Sequence, residues 1–240
     1  MSERDEGAAQ SRPRTIYGRR HGRPLRQQRQ ALMDSLAPRL TVALPPPGGT
    51  LDPFALFPRR PREVWLEVGF GGGEHLAFHA ERNRDVGIIG CEPFVNGVSS
   101  LLRHVADSAL ENVRLHQDDA RWLVEALPPA CLGRAFVLFP DPWPKARHHR
   151  RRFLQTDTVA MLADRMADGA ELRLGSDVPE MVEWMEALMA GEPAFALEAA
   201  WMGDDPDRPA DWPRTRYETK ALASPRAKLM SWRRRARQGG

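Results

Sequence analysis

Along the chain, short apolar runs alternate with stretches of helical period from residue 63 onward. Val64-Trp65-Leu66-Glu67-Val68 has the texture of a buried strand and runs directly into Gly69-Phe70-Gly71-Gly72-Gly73. Glu74 to Arg82 then follows a helical period with a carboxylate in its first turn. The alternation continues. Strands are predicted at Val86–Cys91, Asn112–His116, Ala135–Phe139, Ala170–Leu174 and Phe195–Trp201. Helices are predicted at Phe94–Ala106, Ala120–Leu127, Leu154–Met166 and Pro179–Ala190. Strands alternating with helices build a mostly parallel sheet covered on both faces, an α/β fold. Ligands of such sheets sit beyond the carboxyl ends of the strands. That places Glu67 to Gly73, Glu92, Asp119 and Asp141 along one rim.

The N-terminal part reads differently. Residues 1–30 are polar and basic without a period, a flexible arm. Ala31 to Leu40 is a short apolar-periodic piece, and Leu44-Pro-Pro-Pro-Gly-Gly49 is a linker. Residues 1–50 are thus expected to be arm and linker, and 51–240 the catalytic-type domain. The acids Glu3, Asp5 and Glu6 argue against a transit peptide, and no apolar core follows Arg19-Arg20, so the expected compartment is the cytoplasm. No apolar stretch approaches the length of a membrane span, and no membrane partner is expected.

Composition adds two points. Cys91 and Cys131 are the only cysteines, too few for a disulfide framework or a thiolate zinc cluster. The net charge is +3, but 32 of the 35 basic residues are arginine, whose planar fork grips phosphates. They gather at residues 12–29, 145–152 and 226–237, three clusters that suggest a polyanion partner. A solvated basic surface is the plainer explanation of any one of them.

The candidate chemistry begins at the glycine loop. Gly69 and Gly71 fit the start of a dinucleotide fingerprint, but Glu74 stands where its third glycine belongs. Acids flanking the loop would repel a pyrophosphate. They suit a cationic ligand with an amino-acid end, such as S-adenosylmethionine. Glu92, ending the second strand, is placed to accept from ribose hydroxyls. Asp119 could accept from an adenine amino group, and Asp118 could do so instead. The segment Phe139-Pro140-Asp141-Pro142-Trp143-Pro144-Lys145 sets an acid between prolines beside a flat aromatic, and the basic run Arg147-His148-His149-Arg150-Arg151-Arg152 follows. It reads as a reaction site for a nucleic-acid base. His75 and His79 have metal-ligand spacing but no evident third ligand, so no metal is expected. Trp65, Trp122, Trp184 and Trp201 read as core, and Met181, Met185 and Met189 as a packed helix face.

The glycine loop, Glu92, the Pro-Asp-Pro-Trp-Pro-Lys segment with its His-His-basic tail, and Thr215-Arg216-Tyr217-Glu218 together resemble the bacterial tRNA (guanine-N7)-methyltransferase family from about residue 60 to 220. The resemblance implies a Rossmann-like class I methyltransferase sheet of seven strands, the last antiparallel. It implies S-adenosylmethionine contacts at Glu67, Glu92, Asp119 and Asp141, and the glycine loop adds Gly69 and Gly71. It implies tRNA contacts at Lys145, the run to Arg152, Asp177 and Thr215 to Glu218, with a variable-loop guanine as target. Thr-Arg-Tyr-Glu stands where the family has Thr-Lys-Phe-Glu, and Thr219 to Trp232 fits the closing strand poorly. On this reading Asp141 lies nearest the methyl transfer, and Asp177 and Glu218 accept from guanine N1–H and its 2-amino group. The rival classes are a nicotinamide-dependent oxidoreductase and a non-catalytic RNA-binding protein on the same fold.

Overall fold

A computed structural model describes residues 18–214, 218 and 227–238. Seven strands form one sheet: β1 Glu63–Val68, β2 Val86–Cys91, β3 Val113–His116, β4 Leu132–Leu138, β5 Met166–Ser176, β6 Phe195–Met202 and β7 Lys228–Arg234. Their spatial order is β3-β2-β1-β4-β5-β7-β6. The first five pair in parallel, while β7 runs antiparallel between β5 and β6. Helices α1 Gln27–Ser35, α2 Ala37–Leu40, α3 Glu74–Arg82, α4 Val95–Asp107, α5 Ala120–Ala126, α6 Thr156–Arg165 and α7 Pro179–Ala190 flank it. This is the expected α/β architecture. The order reverses beside β1, so the crevice for a ligand opens where β1 and β4 end.

Two apolar layers explain why the central strands read as unbroken runs. One face of the sheet packs Leu66, Ile89 and Val137 against α5 to α7; the other packs Trp65, Ile88 and Phe136 against α3 and α4. Residues buried on both faces need no polar alternation. Met181, Met185 and Met189 form the buried stripe of α7, as their spacing predicts.

Two segments differ from the expectation. The fifth strand begins at Met166 rather than Ala170, because Leu132 pairs with Met166 across a register shift. The C-terminal chain does close the sheet. Leu229, Met230 and Trp232 are buried in β7, but the cations at 228, 233 and 234 hide the strand pattern. Much of the third basic cluster is spent inside the protein. Arg233 pairs with Glu198, and Arg234 and Arg237 both pair with Asp168. Those three guanidinium groups hold the sheet edge rather than forming a bare polyanion surface.

Helix α1 starts at Gln27, within the stretch read as aperiodic arm. Its own sequence lacks a cap and an acidic first turn. Its stability comes from packing Leu32, Met33 and the following Leu36 onto the α3–α4 side of the core. Residues 1–17 of the arm lie outside the described part.

Candidate functional site

Each parallel strand delivers its last residues to one rim. After β1 the chain turns through Gly69 (φ 74°) and Gly71 (φ 56°), a backbone region that favours glycine. A Cβ on either would meet nothing within 4 Å, so the peptide groups there stand open to the crevice. The loop is held from two sides. The Gly71 N–H donates to Glu92 Oε2 at 2.8 Å, and α4 packs its first turn on the Gly71 carbonyl through Gly97.

Glu92 therefore arrives already oriented. Its second oxygen, Oε1, accepts from the Phe94 N–H at 2.9 Å. Burial pushes its carboxyl above the ordinary value; the two N–H bonds work against that, and the charges of Asp141 and Glu67 add to it. A carboxylate offers about four lone-pair sites, so two remain for a ligand.

Glu67 points into the protein. It is 4% exposed and bonds His75 Nδ1 at 2.9 Å, and His75 Nε2 lies 3.3 Å from His79 Nε2. Glu67 accepts from His75 Nδ1, and one proton lies between the two facing Nε2 atoms. Burial, the neighbouring His75 and the charges of Arg173, Arg134 and Arg82 lower the His79 value to about 2. The Glu67–His75–His79 chain is thus a buried strut under the glycine loop, with His79 held neutral. Among the described residues, no group of three or more His, Cys, Asp or Glu is arranged to hold a metal.

Beyond β3 the two aspartates separate in role. Asp119 caps α5 through Oδ1, which accepts from the Arg121 N–H at 2.9 Å, and its Oδ2 pairs with Arg121 Nη1 at 2.9 Å. Asp118 accepts one bond, from the Asp119 N–H at 2.7 Å. Both line the crevice, and Asp119 enters it with its carboxylate already engaged.

The loop after β4 is stiff and twisted. Phe139 (φ 49°) and Trp143 (φ 44°) bracket Pro140-Asp141-Pro142 in a backbone region that bulky residues rarely adopt. The Phe139 N–H donates to the Gly175 carbonyl at 2.7 Å, which anchors the loop to β5. Asp141 stays exposed, while the Trp143 ring has the Arg151 guanidinium 5.0 Å from its centroid and His148 edge-on at 6.0 Å. A crevice of ≈ 320 Å³ brings Gly69, Gly71, Glu92, Asp119, Asp141 and Arg151 together.

The basic run then splits. Lys145, Arg147 and Arg150 are exposed around a 3₁₀ turn, Ala146–Arg151. Partial desolvation and the charges of Arg151, Arg147, Lys145 and Arg150 lower the His148 value. Arg152 is the exception to the expected tRNA surface, because its side chain is fully buried. Its Nη2 bonds Glu180 Oε1 at 2.6 Å, its Nε donates to the Pro142 carbonyl at 2.8 Å, and it lies 4.8 Å from the Trp184 ring centre. His149 Nε2 lies 2.9 Å from the same Glu180 oxygen, at ion-pair distance but out of hydrogen-bond alignment.

Asp177 stands at the end of β5, on the same rim and half-buried. Glu218 is paired with Arg208 at 2.6 Å, and both side chains are buried. Thr215, Arg216 and Tyr217 lie outside the described residues. Three contributors went unread in the sequence. Gly97 looks like an ordinary helix glycine. Asn96 bonds the arm, and Arg121 ties Asp119 to the Arg152 carbonyl at 2.6 Å.

Residues 61–229 match the family described as "Putative methyltransferase". The chain is similar to the tRNA (guanine-N(7)-)-methyltransferase of Paramagnetospirillum magneticum, at 51% identity over 96% of each chain. It is also similar to the proteins of that name from Rhodospirillum rubrum (47%, over 92% of this chain and 88% of the other) and Caulobacter vibrioides (48%, 88% and 90%). Among solved structures it superposes on the 16S rRNA methyltransferase KamB with a TM-score of 0.55 at 17% identity, covering 73% of this chain and 89% of that one. A 16S rRNA (adenine(1408)-N(1))-methyltransferase from Catenulisporales acidiphilia gives 0.51 at 13% identity, over 75% and 89%. At that identity the two structures speak for the fold alone.

Proposed function

The chain belongs to the tRNA (guanine-N7-)-methyltransferase family, and on that premise we propose how its residues carry out the reaction. It is a methyltransferase acting on guanine N7 of tRNA, with the variable loop as the site of the target base. S-adenosylmethionine, when bound, supplies a sulfonium methyl: the N7 lone pair forms the new N–C bond, the S–C pair returns to sulfur, and the guanine ring takes the positive charge.

The single observation that carries the reading is the placement of Glu92. Its carboxylate is fixed by the Gly71 and Phe94 N–H groups and faces the same crevice as Asp141. Its two remaining lone-pair sites suit the vicinal hydroxyls of a ribose. The open backbone at Gly69 and Gly71 lets a ligand's amino-acid end approach, and Glu74 in the first turn of α3 makes that corner hostile to a pyrophosphate. Asp118 and Asp119 bound the far end, where an adenine would lie.

Guanine N7 needs no deprotonation, so the protein's contribution is alignment and charge stabilisation. Asp141, held between two prolines, is the acid placed to face the ring as it becomes cationic. Trp143, backed by Arg151, offers a surface against which a base can stack. Lys145, Arg147 and Arg150 are placed for the phosphates on either side, and Asp177 for the guanine edge. Arg152 and Glu180 hold the loop from beneath.

The test is transfer of labelled methyl from S-adenosylmethionine to unmodified tRNA, with the product base mapped by borohydride–aniline cleavage. Cleavage at a variable-loop guanine is expected. Label without that cleavage would mean another atom is the acceptor. Cofactor binding with no label would favour a non-catalytic RNA binder.

A further inference from the structure

The arm crosses the molecule on a defined path. The Val95 N–H donates to the Arg20 carbonyl at 2.9 Å. The Asn96 side chain then clamps the next residues: its Oδ1 accepts from the Gly22 N–H at 2.7 Å, and its Nδ2 donates to the Arg23 carbonyl at 2.8 Å. The fit is close, since a Cβ on Gly22 would lie 2.5 Å from Asn96 Oδ1. Just before this clamp, Gly18 passes the reaction loop, with its Cβ position 3.7 Å from Asp141 Oδ2. Just after it, the chain enters α1, which packs along α4.

Between the arm, α1 and α4 lies a cleft of ≈ 1060 Å³ lined by Arg23, Arg26, Arg29 and Arg103. Arg103 faces Asp107 at 3.9 Å, both exposed. The guanidinium groups of Arg23, Arg26 and Arg29 have no hydrogen-bond or ion-pair partner among the described residues. A second arginine-rich cleft, at the opposite end of β1, makes the contrast. There Arg62 is paired with Asp85 at 2.6 Å, and Arg84 is bonded to the Ser108 and Ala109 carbonyls at 3.1 Å. Arg60 there pairs with Asp52 at 3.4 Å, which leaves Arg59 as that cleft's one unpartnered arginine among the described residues, against three in the arm cleft. Like charges held close together repel, and an anion threading between them relieves that repulsion.

We infer that the cleft between the arm, α1 and α4 binds a sugar–phosphate segment of the tRNA away from the target base. The inference rests on the tRNA reading above. Three observations choose RNA backbone over an acidic protein. The open groups are all arginines, whose forks match phosphate oxygens. The cleft follows α4 for roughly 16 Å, a track rather than a point. It is continuous, through the Asn96 clamp, with the segment that passes Asp141. Asn96 is a positioning residue here, holding the arm so that a tRNA seated at the reaction loop meets the arginines in register.

The test compares Arg26→Ala/Arg29→Ala with Arg59→Ala/Arg60→Ala, which removes the same charge from the opposite cleft. Binding to unmodified tRNA and to a short hairpin carrying only the variable loop is titrated across salt concentrations. For the arm variant, tRNA affinity should fall roughly 15- to 30-fold at 0.15 M salt, with the salt slope shallower by about 1.5. Hairpin affinity and kcat at saturating tRNA should be unchanged, with KM raised. Unchanged S-adenosylmethionine affinity checks that the variant is folded. Unaltered tRNA affinity would overturn the inference, as would equal losses for tRNA and hairpin, or equal losses in both double variants. A wild-type protein that methylates no tRNA would instead bring down the reading beneath it.

Discussion

Gly97 stands against Gly71 so closely that a Cβ on it would lie 2.3 Å from the Gly71 carbonyl oxygen. Helix α4 can therefore seat its first turn on the glycine loop only with no side chain there. An alanine ordinarily stabilises a helix by about 1 kcal/mol over glycine. Here the obstacle is backbone, which cannot swing aside as a side chain would. Gly97→Ala is expected to displace the loop, weakening S-adenosylmethionine binding at least tenfold by calorimetry. The far-ultraviolet spectrum should stay native. Unchanged affinity would mean the loop has slack.

Glu92→Gln tests the same loop from the other side. Both carboxylate oxygens accept backbone N–H bonds. An amide must turn its NH₂ toward one of those donors, leaving an N–H unpaired at a cost of about 1–3 kcal/mol. The expected result is cofactor affinity lower by roughly 5- to 150-fold, with Glu92→Ala lower still. Equal affinity for wild type and Glu92→Gln would remove Glu92 from the ribose site.

Much of this was legible beforehand, and the pattern of success has a physical reason. Rim acids at strand ends, the glycine turn and the proline-locked Asp141 follow from local chain geometry, which sequence carries. Side-chain partners do not. Arg152 looks like the fifth cation of a basic surface, yet Glu180, 28 residues later, draws it inside. Arg233, Arg234 and Arg237 look equally free, yet Asp168 and Glu198 claim them. The same pairing with distant acids disguised β7. Gly97 and Asn96 matter through contacts with residues far along the chain, so no window around them could have marked them.

Arg152 and Arg150 should consequently behave as different residues despite their nearness. Arg150 is exposed, so Arg150→Ala should raise KM for tRNA and leave the melting temperature within a degree or so. Arg152→Ala removes the bonds to Pro142 and Glu180 beneath the reaction loop. It should cost about 2 kcal/mol and lower kcat, because Trp143 and Asp141 lose their support. Lysine should rescue little, since one ammonium cannot replace the fork that reaches both acceptors. Matching KM-only effects for the two variants would show Arg152 to be a surface contact after all.

Asp141→Asn should separate charge from shape. The amide preserves the loop's fit but cannot stabilise a ring that becomes cationic. A fall in kcat of about 10²-fold is expected, with the melting temperature unchanged and tRNA affinity nearly so. Full turnover would reduce Asp141 to a structural part of the loop.

The histidine strut predicts an acid limit to stability. Burial, the adjoining His75 and the charges of Arg173, Arg134 and Arg82 hold His79 neutral down to about pH 2 in the fold. In the unfolded chain it titrates near its ordinary value of about 6.5. The folded value lies below the unfolded one, so the unfolded state takes up more protons as pH falls between them. Stability from this group is complete above about pH 7 and declines below it. The loss should reach about 1.4 kcal/mol between pH 8 and 5.5, the free energy of protonating one such group in the unfolded chain alone. His116, also lowered by burial, adds a further slope of the same sign. His79→Phe keeps the ring against Trp65 and Phe136 but removes the proton site. It should lose some stability at pH 8, where His75 Nε2 is left without its partner, and show a shallower decline toward pH 5.5. Urea denaturation of both proteins across that range reads the difference directly. Parallel curves would mean that His79 gains a proton inside the fold, and that the buried chain from Glu67 is less dry than its geometry implies.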